Sequence, residues 1–276
     1  MNYLIITHPR SGSTYVNKAI HLMARCKAGH DDKNNHHQNL HEVFLPWPVN
    51  YTLNKDGSIN DNIDSQTLDI SISQPKGTQK YYMERNRYMQ DIMDKATTPW
   101  SVKIHIDQIN RVDLGRLFNT MDREDVCTIL LYREDTFKSF LSRLIAEHTN
   151  IWQSNDMNEN SKHDTEIYSI IDAEYGTMMD TIAQSVELLN FYKSYPSWNH
   201  IMKYEDLTGD LYSDFYHIFG YVDPEFIENQ MAFSLIPGRM TTDADKKRIV
   251  SNYNQIHDEY IKYVNRHSFS ENLIID

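Results

Sequence analysis

The heptapeptide Val126–Tyr132, VCTILLY, constrains the fold more than any other stretch. A strand this short with no regular polar alternation is one covered on both faces. Three further short apolar runs belong with it: residues 3–7, Trp100–His105 (WSVKIH) and 199–204 (NHIMKY). Segments of helical spacing separate them. Residues 14–26 place Val16, Ala19, Ile20, Met23 and Ala24 on one face, and residues 79–96 do the same with Tyr82, Met83, Tyr88, Met89, Ile92 and Met93. Further helices are expected over 107–120, from an Asp135 cap to His148, over 165–194, over 206–219, and to about residue 265. Strands separated by crossover helices imply an α/β fold: a P-loop-like three-layer arrangement with a central parallel β-sheet flanked by helices. No repeat or linker divides residues 1–276, so one domain is expected. Its irregular insertions fall near 27–98 and 149–165, with one hairpin in 46–77 and polar loops at 27–41 and 150–164.

The 276 residues suffice for a full core, and 40% hydrophobic with 24% charged residues is a globular balance. A net charge of -12 argues against a general nucleic-acid binder, which needs a basic surface. It leaves room for a small phosphorylated ligand held by a few basic side chains. The two cysteines, Cys26 and Cys127, read as buried apolar residues of a helix and a strand, with no disulfide framework. No run reaches the roughly 18 apolar residues of a membrane span, and the N-terminus lacks the basic start of a signal peptide. A cytoplasmic protein is the expectation.

Parallel sheets bind ligands beyond the carboxyl ends of their strands. Three polar segments follow strands there: PRSGST after the first, IHIDQ after the second and REDT after the third. In the first, Gly12 permits a tight turn, Ser11, Ser13 and Thr14 offer hydroxyls, and Arg10 offers a fixed charge. The helix that follows presents free N–H groups to an anion. The Walker pattern is incomplete, because no lysine follows Gly12. In the third segment Arg133 ends a strand, and Ser139 and Ser142 lie on the next helix, able to grip one phosphate from a second side.

Pro9-Arg10-Ser11-Gly12-Ser13-Thr14, Arg133-Glu134-Asp135 with Ser142 nine residues after the arginine, and Tyr204-Glu205-Asp206-Leu207 occur in that order. Together they resemble the sulfotransferases that use 3'-phosphoadenosine 5'-phosphosulfate (PAPS), over about residues 3–210. The resemblance implies transfer of a sulfuryl group to an acceptor hydroxyl or amine by in-line displacement, with 3'-phosphoadenosine 5'-phosphate as product and no metal. It assigns Arg10, Ser11, Gly12, Ser13 and Thr14 to the 5'-phosphosulfate, and Arg133 and Ser142 to the 3'-phosphate, and the adjoining Tyr15 is counted with the donor-binding residues. Tyr204 would lie near the adenine, and a late basic loop with Arg239, Lys246, Lys247 and Arg248 would close over the donor. Many members place the serine eight residues after the arginine, where this chain has Leu141. The longer spacing and Arg10 in the first loop are more similar to the bacterial glycolipid-type and tyrosylprotein-type branches.

Arg10 would also act in catalysis by steadying the developing charge. Two residues are candidates for the base. His105, in VKIHIDQI, resembles the histidine of the cytosolic branch, and Lys103 shares its side of the strand by period two. Glu42, in NLHEVF, resembles the glutamate of the bacterial and tyrosylprotein branches, which the other motifs favour. His30, His36, His37 and His41 match no standard metal spacing and read as a polar loop. Alternatives of another class are a P-loop nucleoside or nucleotide kinase and a non-catalytic nucleotide-binding protein of the same fold. The acceptor, a small molecule or a glycan, and the oligomeric state are not encoded in a readable pattern.

Overall fold

The computed structural model describes residues 1–9, 11–27, 37–40, 52–60, 79–111, 113–149, 172–207, 211–219 and 243–267. The strands are β1 (Asn2–Thr7), β2 (Gln38–Asn39), β3 (Thr52–Leu53), β4 (Ile59–Asn60), β5 (Trp100–His105), β6 (Val126–Tyr132) and β7 (His200–Lys203). The helices are α1 (Ser13–Lys27), α2 (Gln79–Lys95), α3 (Leu114–Met121), α4 (Thr136–Thr149), α5 (Tyr175–Ser194), α6 (Leu211–Phe219), α7 (Asp243–Ile249) and α8 (Tyr253–His267). This is an α/β protein whose central sheet, ordered β2-β5-β1-β6-β7, is parallel throughout and flanked by helices.

The alternation of side chains along the strands builds two apolar layers. Tyr3 and Ile5 of β1, Cys127, Ile129 and Leu131 of β6, and Met202 of β7 face α1 and α6, where Val16, Ile20 and Phe215 close the layer. Leu4 and Ile6 of β1, Trp100, Val102 and Ile104 of β5, and Leu130 of β6 face the opposite way, under Met89, Ile92, Leu117, Leu188 and Phe191. Each fully buried Leu or Ile contributes about 1.5–3 kcal/mol relative to exposure. A third cluster joins Phe137, Phe140 and Leu141 of α4 to Met178 and Ile182 of α5 and Ile256 of α8.

Four local differences from the sequence reading have physical causes. The single helix expected over 107–120 is a 3-10 turn, Ile106–Arg111, followed by α3. The break falls at Asp113, whose side chain accepts the Arg116 N–H at 3.1 Å as an N-cap. Helix α5 starts at Tyr175, with residues 172–174 outside it, while 165–171 of the expected helix lie outside the described residues. The side chain of Asn252 takes both backbone groups of Ala173, accepting its N–H and donating to its carbonyl at 2.9 Å each, so this residue is withheld from the helix. Asn252 itself lies in the turn between α7 and α8. The segment read as the start of a helix at 206 is a 3-10 turn, Tyr204–Asp206. Within the stretch read as a polar loop, Gln38 and Asn39 instead pair with β5 as an edge strand, and His37 beside them is buried. The hairpin of the 46–77 excursion is β3 and β4, turned through Gly57 at φ +83°.

Strands β1 and β6 lie side by side at the centre. The sheet continues from β1 towards β5 and from β6 towards β7, so the chain leaves the two strands in opposite directions. Ligand crevices form at such a reversal of strand order.

Candidate functional site

The loop after β1 is fastened from inside. The Ser11 hydroxyl donates to the His8 carbonyl at 2.8 Å and bonds the Thr7 hydroxyl. Ser11 is fully buried, so its hydroxyl shapes the loop instead of facing a ligand. Gly12 has φ +76°, the left-handed region that L-residues with a Cβ avoid. A Cβ there would also stand 2.9 Å from the Tyr204 ring. The close approach that requires glycine is therefore an approach to Tyr204. The Gly12 carbonyl accepts the Val16 N–H at 3.1 Å and opens α1, whose first N–H groups point out of the helix end.

Strand β5 supplies basic groups to this helix end. Its register with β1 pairs Lys103 with Ile5 and His105 with Thr7, on the α1 face. The Lys103 ammonium, buried, donates to the Thr14 hydroxyl at 2.9 Å. The His105 Nε2 lies 3.4 Å from the Ser13 hydroxyl, and the His105 N–H donates to Gln108 Oε1 at 3.3 Å. Lys103 was no candidate ligand by motif. The period-two relation to His105 is the signal that finds it.

Strand β6 closes the other side. The Arg133 N–H donates to His8 Nε2 at 3.0 Å. Its guanidinium carbon sits 4.4 Å from the Tyr204 ring centroid, and its Nε is 3.8 Å from Glu205 Oε1. The Glu205 carboxylate also accepts the N–H groups of Glu134 and Asp135, at 3.1 Å each, while Lys203 pairs with Glu134 at 2.6 Å. Asp135 caps α4 by accepting the Lys138 N–H at 2.8 Å. One turn along, Ser139 donates to the Pro9 carbonyl at 3.2 Å. The helix serine seen against the loop is thus Ser139, while Ser142, the serine favoured by spacing, is half-buried farther along α4.

The imidazole of His8 is electrostatically perturbed. Burial pushes its pKa below the ordinary imidazole value, and the positive charge of Arg133 acts in the same direction.

The structure thus gathers Ser11, Gly12, Ser13, Thr14, His105, Arg133 and Tyr204 at one sheet edge, and adds His8, Lys103, Ser139 and Glu205. Tyr15 does not join them. Its side chain is buried, with its hydroxyl donating to Asp214 Oδ2 at 2.8 Å and its ring beside Phe215, so its assignment to the donor gives way to a core role. Arg10, Glu42 and Arg239 lie outside the described residues. Of the expected basic lid, Lys246, Lys247 and Arg248 belong to α7; Lys246 is buried and Lys247 lies over the Tyr253 ring at 5.5 Å. His37 Nδ1 meets His21 Nδ1 at 3.1 Å, while His30, His36 and His41 are outside the described residues. Among the described residues no group of three or more potential ligands is arranged for a metal, and no helix is long and apolar enough to cross a membrane.

Hydroxyls, an ammonium, an imidazole and a helix N-terminus converging on one loop form a donor-rich set suited to an anion. No family model matches the chain, and no curated protein matches it.

Proposed function

We propose that this protein is a sulfotransferase that takes its sulfuryl group from PAPS. The observation that carries the reading is the convergence of Lys103 and His105 on Thr14 and Ser13 at the start of α1, with Arg133 across the β1–β6 crevice. The Lys103 ammonium on β5 and the Arg133 guanidinium at the end of β6, one on each side of β1, suit a nucleotide bearing anionic groups at two positions.

PAPS supplies an activated S–O bond and leaves as 3'-phosphoadenosine 5'-phosphate. The rest of the work falls to side chains of the chain. Lys103, Ser13, Thr14 and the α1 N-terminus hold the 5' anion and steady the charge that builds as the S–O bond to phosphate breaks. Arg10 belongs to the same group by its place in the loop. Arg133 holds the 3'-phosphate, with Ser142 as the serine assigned by the motif, and Tyr204 fixes the guanidinium from one side. His105 accepts the proton of the acceptor hydroxyl as the new O–S bond forms. Its position beside the loop hydroxyl of Ser13 supports this role. Glu42 is the competing base.

The test is transfer of labelled sulfuryl from PAPS across a panel of sugar, lipid-linked sugar, phenol and alcohol acceptors. Activity that is lost in Lys103→Ala and in Arg133→Ala supports the reading. A chain that ignores PAPS and transfers phosphate from ATP with magnesium is a kinase instead. Binding of the bisphosphate with no transfer to any acceptor favours a non-catalytic nucleotide-binding protein.

A further inference from the structure

The geometry points to His8 as a positioning residue that locks the anion loop to the end of β6 through one neutral imidazole tautomer. His8 is 3% exposed, and both ring nitrogens are engaged. Its Nδ1 lies 3.1 Å from the Pro9 carbonyl, which can only accept, so Nδ1 carries the proton. Its Nε2 lies 3.0 Å from the Arg133 backbone nitrogen, which can only donate, so Nε2 is bare. The two partners thus select a single tautomer. An imidazolium would set two donors against each other at Arg133.

The charged groups that act on the ring are Arg133, which disfavours a second proton, and Glu205, which favours one; burial is the largest effect and holds the pKa below the ordinary imidazole value. The Pro9 carbonyl also receives the Ser139 hydroxyl, and the His8 carbonyl receives that of Ser11. His8 is therefore the point at which the loop, β6 and α4 are tied together. Its effect on a ligand is indirect: it fixes where Arg133 stands relative to Gly12 and Ser13. This functional consequence rests on the donor-site reading above, whereas the lock itself is a matter of backbone and ring geometry.

Nitrogen NMR of the full chain labelled at histidine, assigned with the His8→Gln variant, tests the lock directly. The expected spectrum has a bare Nε2 and a protonated Nδ1 that persist from about pH 8 to about pH 6, through the ordinary imidazole range. A protonated Nε2, or a ring that titrates like a free imidazole, overturns the inference. Binding of 3'-phosphoadenosine 5'-phosphate tests the consequence. His8→Phe keeps the ring volume but strands the Arg133 N–H, and weakens binding about tenfold. His8→Gln, which offers both an acceptor and a donor, recovers most of that loss at similar thermal stability. Equal binding by the phenylalanine and glutamine variants contradicts a positioning role. A wild-type chain with the expected tautomer that does not bind the bisphosphate supports the lock and removes the donor-site reading. If His8→Phe does not fold, the tautomer and the His8→Gln affinity still decide.

Discussion

The guanidinium carbon of Arg133 lies 4.4 Å from the centroid of the Tyr204 ring, and that same ring leaves no room for a Cβ on Gly12. Tyr204 therefore gauges the separation between the anion loop and the end of β6. The backbone that follows it is pinned by Glu205, which takes two N–H groups of the β6–α4 turn and faces Arg133. Replacing the ring removes the cation–π contact and opens the crevice. Tyr204→Ala is expected to cost about 1–2 kcal/mol in urea unfolding, and Tyr204→Phe within about 0.5 kcal/mol of wild type. Equal losses in both variants would place the effect in the hydroxyl and contradict the stacking account.

Gly12→Ala meets two obstacles. The left-handed backbone costs about 1–2 kcal/mol for any residue with a Cβ, and the contact with Tyr204 adds to it. The single substitution should lower stability by about 2 kcal/mol or more. Adding Tyr204→Ala relieves the contact but not the backbone cost, so the double variant should lose less than the sum of the two singles. Strict additivity, measured in the same denaturant series, contradicts the contact.

Two buried groups contribute to the pH dependence of stability at opposite ends. His8 has a folded pKa held below its ordinary 6.5, so the unfolded chain binds the proton first on acidification. Its contribution is full above about 6.5 and is lost as pH falls through the folded value. His8→Gln should flatten the acid limb of a stability–pH curve. Cys127 is the opposite case: burial raises its thiol from 9.0 to about 11. Its contribution is full below 9.0 and is lost as pH rises to about 11. At pH 8 the folded thiol should be inert to a thiol reagent and should react on unfolding, read in a Cys26→Ser background. Rapid labelling of the folded chain would show that Cys127 is not sealed in the β6 layer.

Strands β1, β5 and β6 were legible because they are buried on both faces. Trp100–His105 and Val126–Tyr132 are read from the sequence to the residue, and α2 to within one. The glycine turn and the gathering of residues 11–14 with Arg133 and Tyr204 were legible as ordered motifs. What escaped were side-chain commitments made across long separations. Nothing local in HPRSGST says that His8 bonds the Arg133 backbone, or that the Tyr15 hydroxyl is spent on Asp214. Serine spacing on a helix likewise does not reveal that Ser139, through the Pro9 carbonyl, is the one against the loop. Asn252 shows the same limit for secondary structure, since its clasp on Ala173 overrides the helical pattern.

Lys103 and His105 should separate in kinetics. Lys103→Ala removes a charge beside Thr14, and should raise the donor KM as well as lower kcat. His105→Ala should leave bisphosphate affinity within about threefold and lower kcat by about 10²–10⁴-fold, as loss of a general base does. If Glu42→Gln shows that pattern while His105→Ala retains turnover, the base is Glu42.

The most direct measurement is calorimetric titration of the wild-type chain and of Arg133→Ala with 3'-phosphoadenosine 5'-phosphate, and of the wild type with ATP and magnesium. The account predicts that the wild type binds the bisphosphate, prefers it to ATP, and loses at least about tenfold in affinity when Arg133 is removed, the scale of a charge-assisted contact. Preference for ATP with magnesium, or bisphosphate binding that is indifferent to Arg133, would contradict it.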